Sequence, residues 1–208
     1  MKRVFLMAAV ISLLAVSCNK NDSESDLIPV AQTDYMQLKV GNYWVYDNYH
    51  IDADGNEILS QNKDSVVIIG DTMIGGIQYF KQHLIGQSHV VYLRDSSGFL
   101  ITLEGDVLFS STDFSNIIRQ DTIANGLAFI TYKMEDSDTL ITVPMGNYSC
   151  ITFKGTVNAL DPEYPHGVQY TYYFYADGFG QVKSSYYLFS NPMLRVERRL
   201  SQFGNVAE

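Results

Sequence analysis

Turn-forming residues recur about every ten positions from residue 37 onward, with short runs of Val, Ile, Tyr and Phe filling the intervals. That rhythm leaves room for strands and little room for helices of ordinary length, so it predicts a meander of antiparallel strands. Asp52-Ala53-Asp54-Gly55-Asn56, Gly75-Gly76, Asp95-Ser96-Ser97-Gly98, Glu104-Gly105-Asp106 and Asp177-Gly178-Phe179-Gly180-Gln181 supply the turns. Asp, Asn and Gly accept the positive backbone angles that tight turns require. Between them, Ser65–Ile69, Ile77–Phe80, Val90–Arg94, Phe99–Leu103, Val107–Phe109, Tyr148–Leu160, Gln169–Tyr175, Ser184–Ser190 and Leu194–Phe203 read as strands. Leu127–Lys133 and Asp138–Val143 read as two more, separated by a polar turn at Glu135-Asp136-Ser137. Only Ser111–Arg119 has the spacing for a helical turn or two, with Phe114, Ile117 and Ile118 on one side. The expected fold is all-β or β-rich α+β: a single curved antiparallel sheet or half-open barrel with at most one or two short helices, occupying residues 37–208 as one domain.

The first 17 residues are of a different kind. Lys2 and Arg3 precede an apolar run, Val4–Val16, broken only by Ser12, and the compact Ala15, Val16 and Ser17 lead into Cys18. This is the layout of a secretory signal peptide. The run is shorter than the roughly 20 apolar residues of a membrane span, and Asn19-Lys20-Asn21-Asp22 follows at once. The segment also resembles the bacterial lipobox, with Ala15 where Leu is usual. That resemblance implies cleavage before Cys18, diacylglycerol on its thiol and a fatty acyl chain such as palmitate on its amino group. Several acyl chains, at about 0.8 kcal/mol per buried methylene, give stable anchoring where one chain is marginal. Residues 18–36, polar and acidic with no apolar periodicity, are expected to form a flexible tether. Lys20 followed by Asp22, Glu24 and Asp26 resembles the signal that sends Bacteroidota lipoproteins to the outer face of the outer membrane; a periplasm-facing position is the alternative.

Removing the leader takes Lys2 and Arg3 with it and leaves 12 Lys plus Arg against 23 Asp plus Glu, a net charge of −11. Nucleic acid and anionic head groups are poor partners for such a chain. With Cys18 lipidated, Cys150 is the only remaining thiol, and its strand-like surroundings predict a buried, inert side chain.

Leu38-Lys39-Val40-Gly41-Asn42-Tyr43-Trp44-Val45-Tyr46 resembles the GlyAsnTyrTrp opening of surface-lipoprotein domains of unknown function from Bacteroidota. Gly70-Asp71 through Gly76-Ile77-Gln78-Tyr79, Arg94-Asp95 ahead of Gly98-Phe99, and Val143-Pro144-Met145-Gly146-Asn147-Tyr148 ahead of Gly180-Gln181-Val182-Lys183 agree with it. These families are similar to the half-closed antiparallel barrels of bacterial lipoprotein carriers, a sheet curved around an apolar groove. The resemblance implies a fold and a habitat, and it brings no catalytic residues.

Tyr170-Thr171-Tyr172-Tyr173-Phe174-Tyr175 places Tyr170, Tyr172 and Phe174 on one strand face and Tyr173 and Tyr175 on the other. Aromatic side chains on both faces mean that each face is covered by core, groove or ligand. Together with Trp44 and Tyr46, the residues Tyr170, Tyr172, Tyr173 and Tyr175 are the candidate ligand contacts, for stacking on sugars or lining a lipid groove. The alternative is that they pack the core.

Other candidates are weaker. Asp52-Ala53-Asp54-Gly55-Asn56-Glu57 carries oxygen ligands at alternate positions, but Gly55 stands one place early for an EF-hand loop and the bidentate Glu is missing. His50, His83, His89 and His166 form no zinc motif, and Asp161, Glu163 and His166 gather in a Pro-rich loop. No nucleophile elbow, phosphate loop or dinucleotide fingerprint is present. Arg195, Arg198 and Arg199 form the one basic cluster, with residues 195 and 199 on one strand face. The sequence therefore predicts no catalytic residue, metal or cofactor. Its expected partners are the membrane, through Cys18, and an apolar or glycan ligand or an envelope protein. An extracellular hydrolase using unidentified carboxylates and a structural or assembly component are the alternative functions.

Overall fold

The structure, a computed structural model, describes residues 33–123, 126–160, 167–188 and 191–206. The expected leader 1–17, Cys18, most of the expected tether, and the loop with Asp161, Glu163 and His166 lie outside the described residues. Twelve strands follow one another: β1 (Asn42–Ile51), β2 (Glu57–Ile74), β3 (Ile77–Leu84), β4 (Val90–Ser96), β5 (Phe99–Thr102), β6 (Val107–Ser110), β7 (Ile117–Ile123), β8 (Ala128–Val143), β9 (Gly146–Ala159), β10 (Gln169–Ala176), β11 (Gly180–Leu188) and β12 (Asn191–Asn205). No α-helix occurs among the described residues.

All twelve strands join one antiparallel sheet in the order β6-β5-β4-β3-β2-β1-β12-β11-β10-β9-β8-β7. Each neighbour is the next strand in sequence except where β1 meets β12, so the chain runs outward along one half, returns, and closes on its own start. Leu93, Leu100 and Phe109, from β4–β6, share one buried cluster with Ile130, Tyr132, Met134, Phe153 and Val157, from β8 and β9. Strands at opposite ends of the order meet inside, so the sheet curls until it nearly closes into a barrel. The Arg119 guanidinium of β7 donates to the Val107 carbonyl of β6 at 3.3 Å across the remaining gap. Phe109 and Phe153 are wholly buried, and side chains of this size contribute about 1.5–3 kcal/mol each.

A second cluster holds Trp44, Tyr46, Ile68, Val143, Cys150, Ala176, Val182 and Leu200. The β8–β9 hairpin reaches it by folding across β10 and β11: the Met145 N–H donates to the Leu200 carbonyl of β12 at 3.1 Å. Ile151 and Phe153 of β9 face the barrel interior while the alternating Cys150 belongs to this second cluster, so one strand serves both.

Three local expectations are corrected. Ser111–Arg119 is not helical: the Asp113 carboxylate accepts the N–H groups of Ser115 at 3.0 Å and Asn116 at 3.1 Å, a turn that competes with helix, and Ile117 already begins β7. Glu135-Asp136-Ser137 is not a turn between two strands, because both flanking segments pair with β9 and the register shifts between Glu135 and Thr139 within one strand, a bulge. The end of the segment expected as tether, residues 18–36, belongs to the folded unit. The Asp34 N–H donates to the Asp177 carboxylate at 2.6 Å, and Tyr35 and Met36 pack on the interior cluster.

Candidate functional site

Strand β10 presents two aromatic faces with different fates. Tyr173 and Tyr175 turn inward, with Tyr175 buried against Phe109 at 4.2 Å between ring centres. Its hydroxyl donates to the Leu108 carbonyl at 3.4 Å, and burial raises its pKa well above the ordinary tyrosine value. Trp44 and Tyr46 of β1 are buried as well. The indole N–H donates to the Phe179 carbonyl at 2.7 Å and the Tyr46 hydroxyl to the Gln181 carbonyl at 2.8 Å, so the chain itself satisfies both polar tips. A cavity of about 120 Å³ remains beside Trp44, Tyr46 and Tyr175, filled from one side by Met36 and Leu38.

The other face of β10 points out of the barrel. Tyr170 is 40% exposed, Tyr172 and Phe174 are half-buried, and the rings line up at 6.2 Å and 6.0 Å between centres. Strand register brings cations to both sides. Tyr172 pairs with Lys154 of β9, whose Nζ lies 4.6 Å from the Tyr170 ring centre and 5.8 Å from that of Tyr172. Phe174 pairs with Lys183 of β11, whose Nζ lies 6.0 Å from its ring centre. An ammonium over an aromatic face is attracted by the ring quadrupole. Glu135, 2.8 Å from Lys154, raises that lysine's pKa and holds it charged.

Beyond Lys183 the face continues over Ser185, Tyr187, Arg195 and Glu197. With the aromatic row these enclose an open trough of about 330 Å³. A second hollow of about 460 Å³ adjoins it, walled by Ile51, Asp52, Val168 and Met193 and sharing Tyr170, Tyr187 and Arg195 with the first. Glu197 is buried and collects Lys183 at 2.8 Å, Arg199 at 2.7 Å and Arg195 at 3.5 Å. Arg199 is also forked onto Glu57, which lowers the Glu57 pKa and raises its own.

Of the sequence candidates, the fold brings Tyr170 and Tyr172 together on this outer surface and places Trp44, Tyr46, Tyr173 and Tyr175 on the interior side. Phe174, Lys183, Ser185, Tyr187, Arg195 and Glu197 complete the trough, and Lys154 stands beside its aromatic row. The alternation of β10 already put Phe174 beside Tyr170 and Tyr172; the lysines became neighbours only through strand pairing. The Arg cluster divides: Arg195 and Arg199 meet Glu197, while Arg198 lies 4.6 Å over the Tyr46 ring and pairs with Asp64 at 2.8 Å.

Two carboxylates border the hollows, Asp52 and Glu197. Asp52 accepts the N–H groups of Asp54 and Asn56 and the Asn56 side-chain amide, each at 2.9 Å, which lowers its pKa. A general acid needs the opposite shift, and a calcium ligand needs the lone pairs that these bonds use. Among the described residues, no group of three or more His, Cys, Asp or Glu is placed to hold a metal ion. His83 Nε2 meets the Gln87 carbonyl at 2.8 Å. Cys150 is buried in the second cluster, and desolvation pushes its thiol up to about 12.

No family model matches the chain, and no curated protein matches it. Two solved structures are similar to it. One, from Bacteroides fragilis and described as exported with a YmcC-like fold, is 13% identical with a TM-score of 0.49, covering 84% of this chain and 100% of that one. The other, described as a lipoprotein from Parabacteroides distasonis, is 15% identical with a TM-score of 0.47, covering 83% of this chain and 99% of that one.

Proposed function

We propose that this chain is a non-enzymatic envelope lipoprotein, anchored in the outer membrane through Cys18, whose barrel binds a glycan on the outer face of β10. The observation that carries the binding half is the outward row of Tyr170, Tyr172 and Phe174, with ring centres 6.2 Å and 6.0 Å apart, bordering an open trough. Flat aromatic faces with polar rims suit the apolar faces of sugar rings and the hydroxyls around them. A lipid ligand fits less well. Small-molecule sites span about 300–1,000 Å³, and the cavities on the interior cluster, at about 120 and 190 Å³, fall below that range while the outer hollows, at about 330 and 460 Å³, fall within it. The anchor half rests on the basic end, the apolar run and Cys18, followed by an acidic spacer.

Two measurements test the reading. Cys18→Ser in the full chain is expected to release a folded protein from the membrane fraction; firm membrane retention overturns the anchor. For the site, the leaderless Cys18→Ser chain is titrated with soluble extracellular polysaccharides, and Tyr172→Ala is expected to weaken whatever binding is found at least tenfold without shifting the melting temperature by more than a few degrees. Binding to none of the polymers, or binding indifferent to Tyr172, overturns the glycan reading.

A further inference from the structure

The four cations around the trough differ in how far the chain already uses them. Lys154 is paired with Glu135 at 2.8 Å and Lys183 with Glu197 at 2.8 Å. Arg199 donates through Nε to Glu197 at 2.8 Å and through Nη1 to Glu57 at 2.8 Å, so its fork is occupied. Arg195 is the exception. Its one ion-pair partner among the described residues is Glu197 at 3.5 Å, and its buried Nε has no hydrogen-bond partner. The side chain is 39% exposed and walls both hollows, between Tyr170 and Tyr187. An arginine is costly to order without a partner, and its planar fork matches a carboxylate in a bidentate pair.

We infer that Arg195 receives a sugar carboxylate, so that the ligand of the trough is a uronic-acid-bearing glycan with its ring against Tyr170 and Tyr187. This deepens the glycan reading above and rests on it. Lys154, Lys183, Arg195 and Arg199 stand against Glu135, Glu197, Glu57 and Asp52, so the surroundings balance and the loosely held Arg195 is the cation left to receive an anion. Without its leader the chain carries −11, 12 Lys plus Arg against 23 Asp plus Glu, and that field repels a dense polyanion. Within a Debye length of about 8–10 Å the local cation decides instead. The two scales together select a glycan with isolated carboxylates over a uniformly charged one.

The experiment compares three probes on the leaderless Cys18→Ser chain: a xylan bearing glucuronic acid side groups, the same xylan with its carboxyls reduced to alcohols, and polygalacturonate. The acidic xylan is expected to bind at least tenfold more tightly than its reduced form and more tightly than polygalacturonate. Arg195→Gln is expected to abolish the first difference, so that it binds the acidic and the reduced xylan alike, and Arg195→Lys to recover only part of it. Equal binding of the two xylans by the unaltered chain overturns the carboxylate inference and leaves the glycan reading standing. Tightest binding to polygalacturonate overturns the preference for isolated carboxylates, and an unbroken difference in Arg195→Gln overturns the role of Arg195. Binding to none of the three removes this inference together with the reading beneath it.

Discussion

The indole N–H of Trp44 donates to the backbone carbonyl of Phe179 at 2.7 Å, tying β1 to the turn between β10 and β11 across 135 residues of sequence. The same ring packs on Phe203 at 5.5 Å between centres. A Cβ on Gly180 would lie 3.4 Å from the indole nitrogen, and Gly180 has a positive φ of 76°. The turn that accepts the bond is therefore shaped by a residue whose backbone angle favours glycine.

Trp44→Phe keeps a ring in the cluster but leaves the Phe179 carbonyl without its donor, and is expected to cost about 1–3 kcal/mol. Trp44→Ala empties the site, at about 3–5 kcal/mol. Urea unfolding midpoints check both. A Trp44→Ala protein as stable as the parent would mean that the indole does not hold the core.

Acid is expected to destabilise the domain through particular carboxylates. Bonds from Asn116 and Ser115 hold Asp113 down to about 2, and Arg199 lowers Glu57. A carboxylate with a depressed folded pKa adds stability above its unfolded pKa of about 4, and that stability is lost as pH falls through the folded value. Melting temperatures measured from pH 7 to pH 2 should therefore fall mainly below about pH 4. Asp113→Asn should flatten part of that slope, and an unchanged slope would remove Asp113 from the account.

Cys150 is expected to resist thiol reagents. With its pKa pushed up to about 12 by burial, the thiolate fraction at pH 8 is negligible. Ellman's reagent should label the leaderless Cys18→Ser chain only in denaturant; prompt labelling of the native protein would contradict the burial.

Gly155 is required by space rather than by backbone angle. A Cβ there would lie 2.7 Å from Thr171 Oγ1 and 2.9 Å from Ile130 Cδ1 and Tyr132 Cε1, whereas one at Gly70 would meet nothing within 4 Å. Gly155→Ala is expected to cost about 1–3 kcal/mol through overpacking, and Gly70→Ala to stay within about 0.5 kcal/mol of neutral. Calorimetric melts of the two variants side by side make the comparison.

Strand alternation was legible where apolar periodicity and turn residues agreed. Trp44 and Tyr46 fall on the buried face of β1, Tyr43 and Val45 on the other, and Tyr170, Tyr172 and Phe174 separate from Tyr173 and Tyr175 as a period of two requires. Legibility failed where a side chain competes with the backbone or where a strand tolerates extra residues. The apolar spacing of Phe114, Ile117 and Ile118 mimicked a helix face that the Asp113 turn pre-empts, and the polar run at 135–137 mimicked a turn that pairing to β9 absorbs as a bulge.

The sequence by itself determined the β class, the alternation of each strand and the candidacy of Cys18 as an anchor, because these depend on residues close along the chain. Only the tertiary structure decided which aromatic face of β10 became interior and which became surface, since a period of two separates faces without saying which one the sheet will curl around. It also decided that Arg195, Arg199 and Lys183 share one buried carboxylate and that Arg195 alone is loosely held. Pairings across β11, β12 and the far end of β2 are set by sheet order and register, quantities that no local pattern encodes.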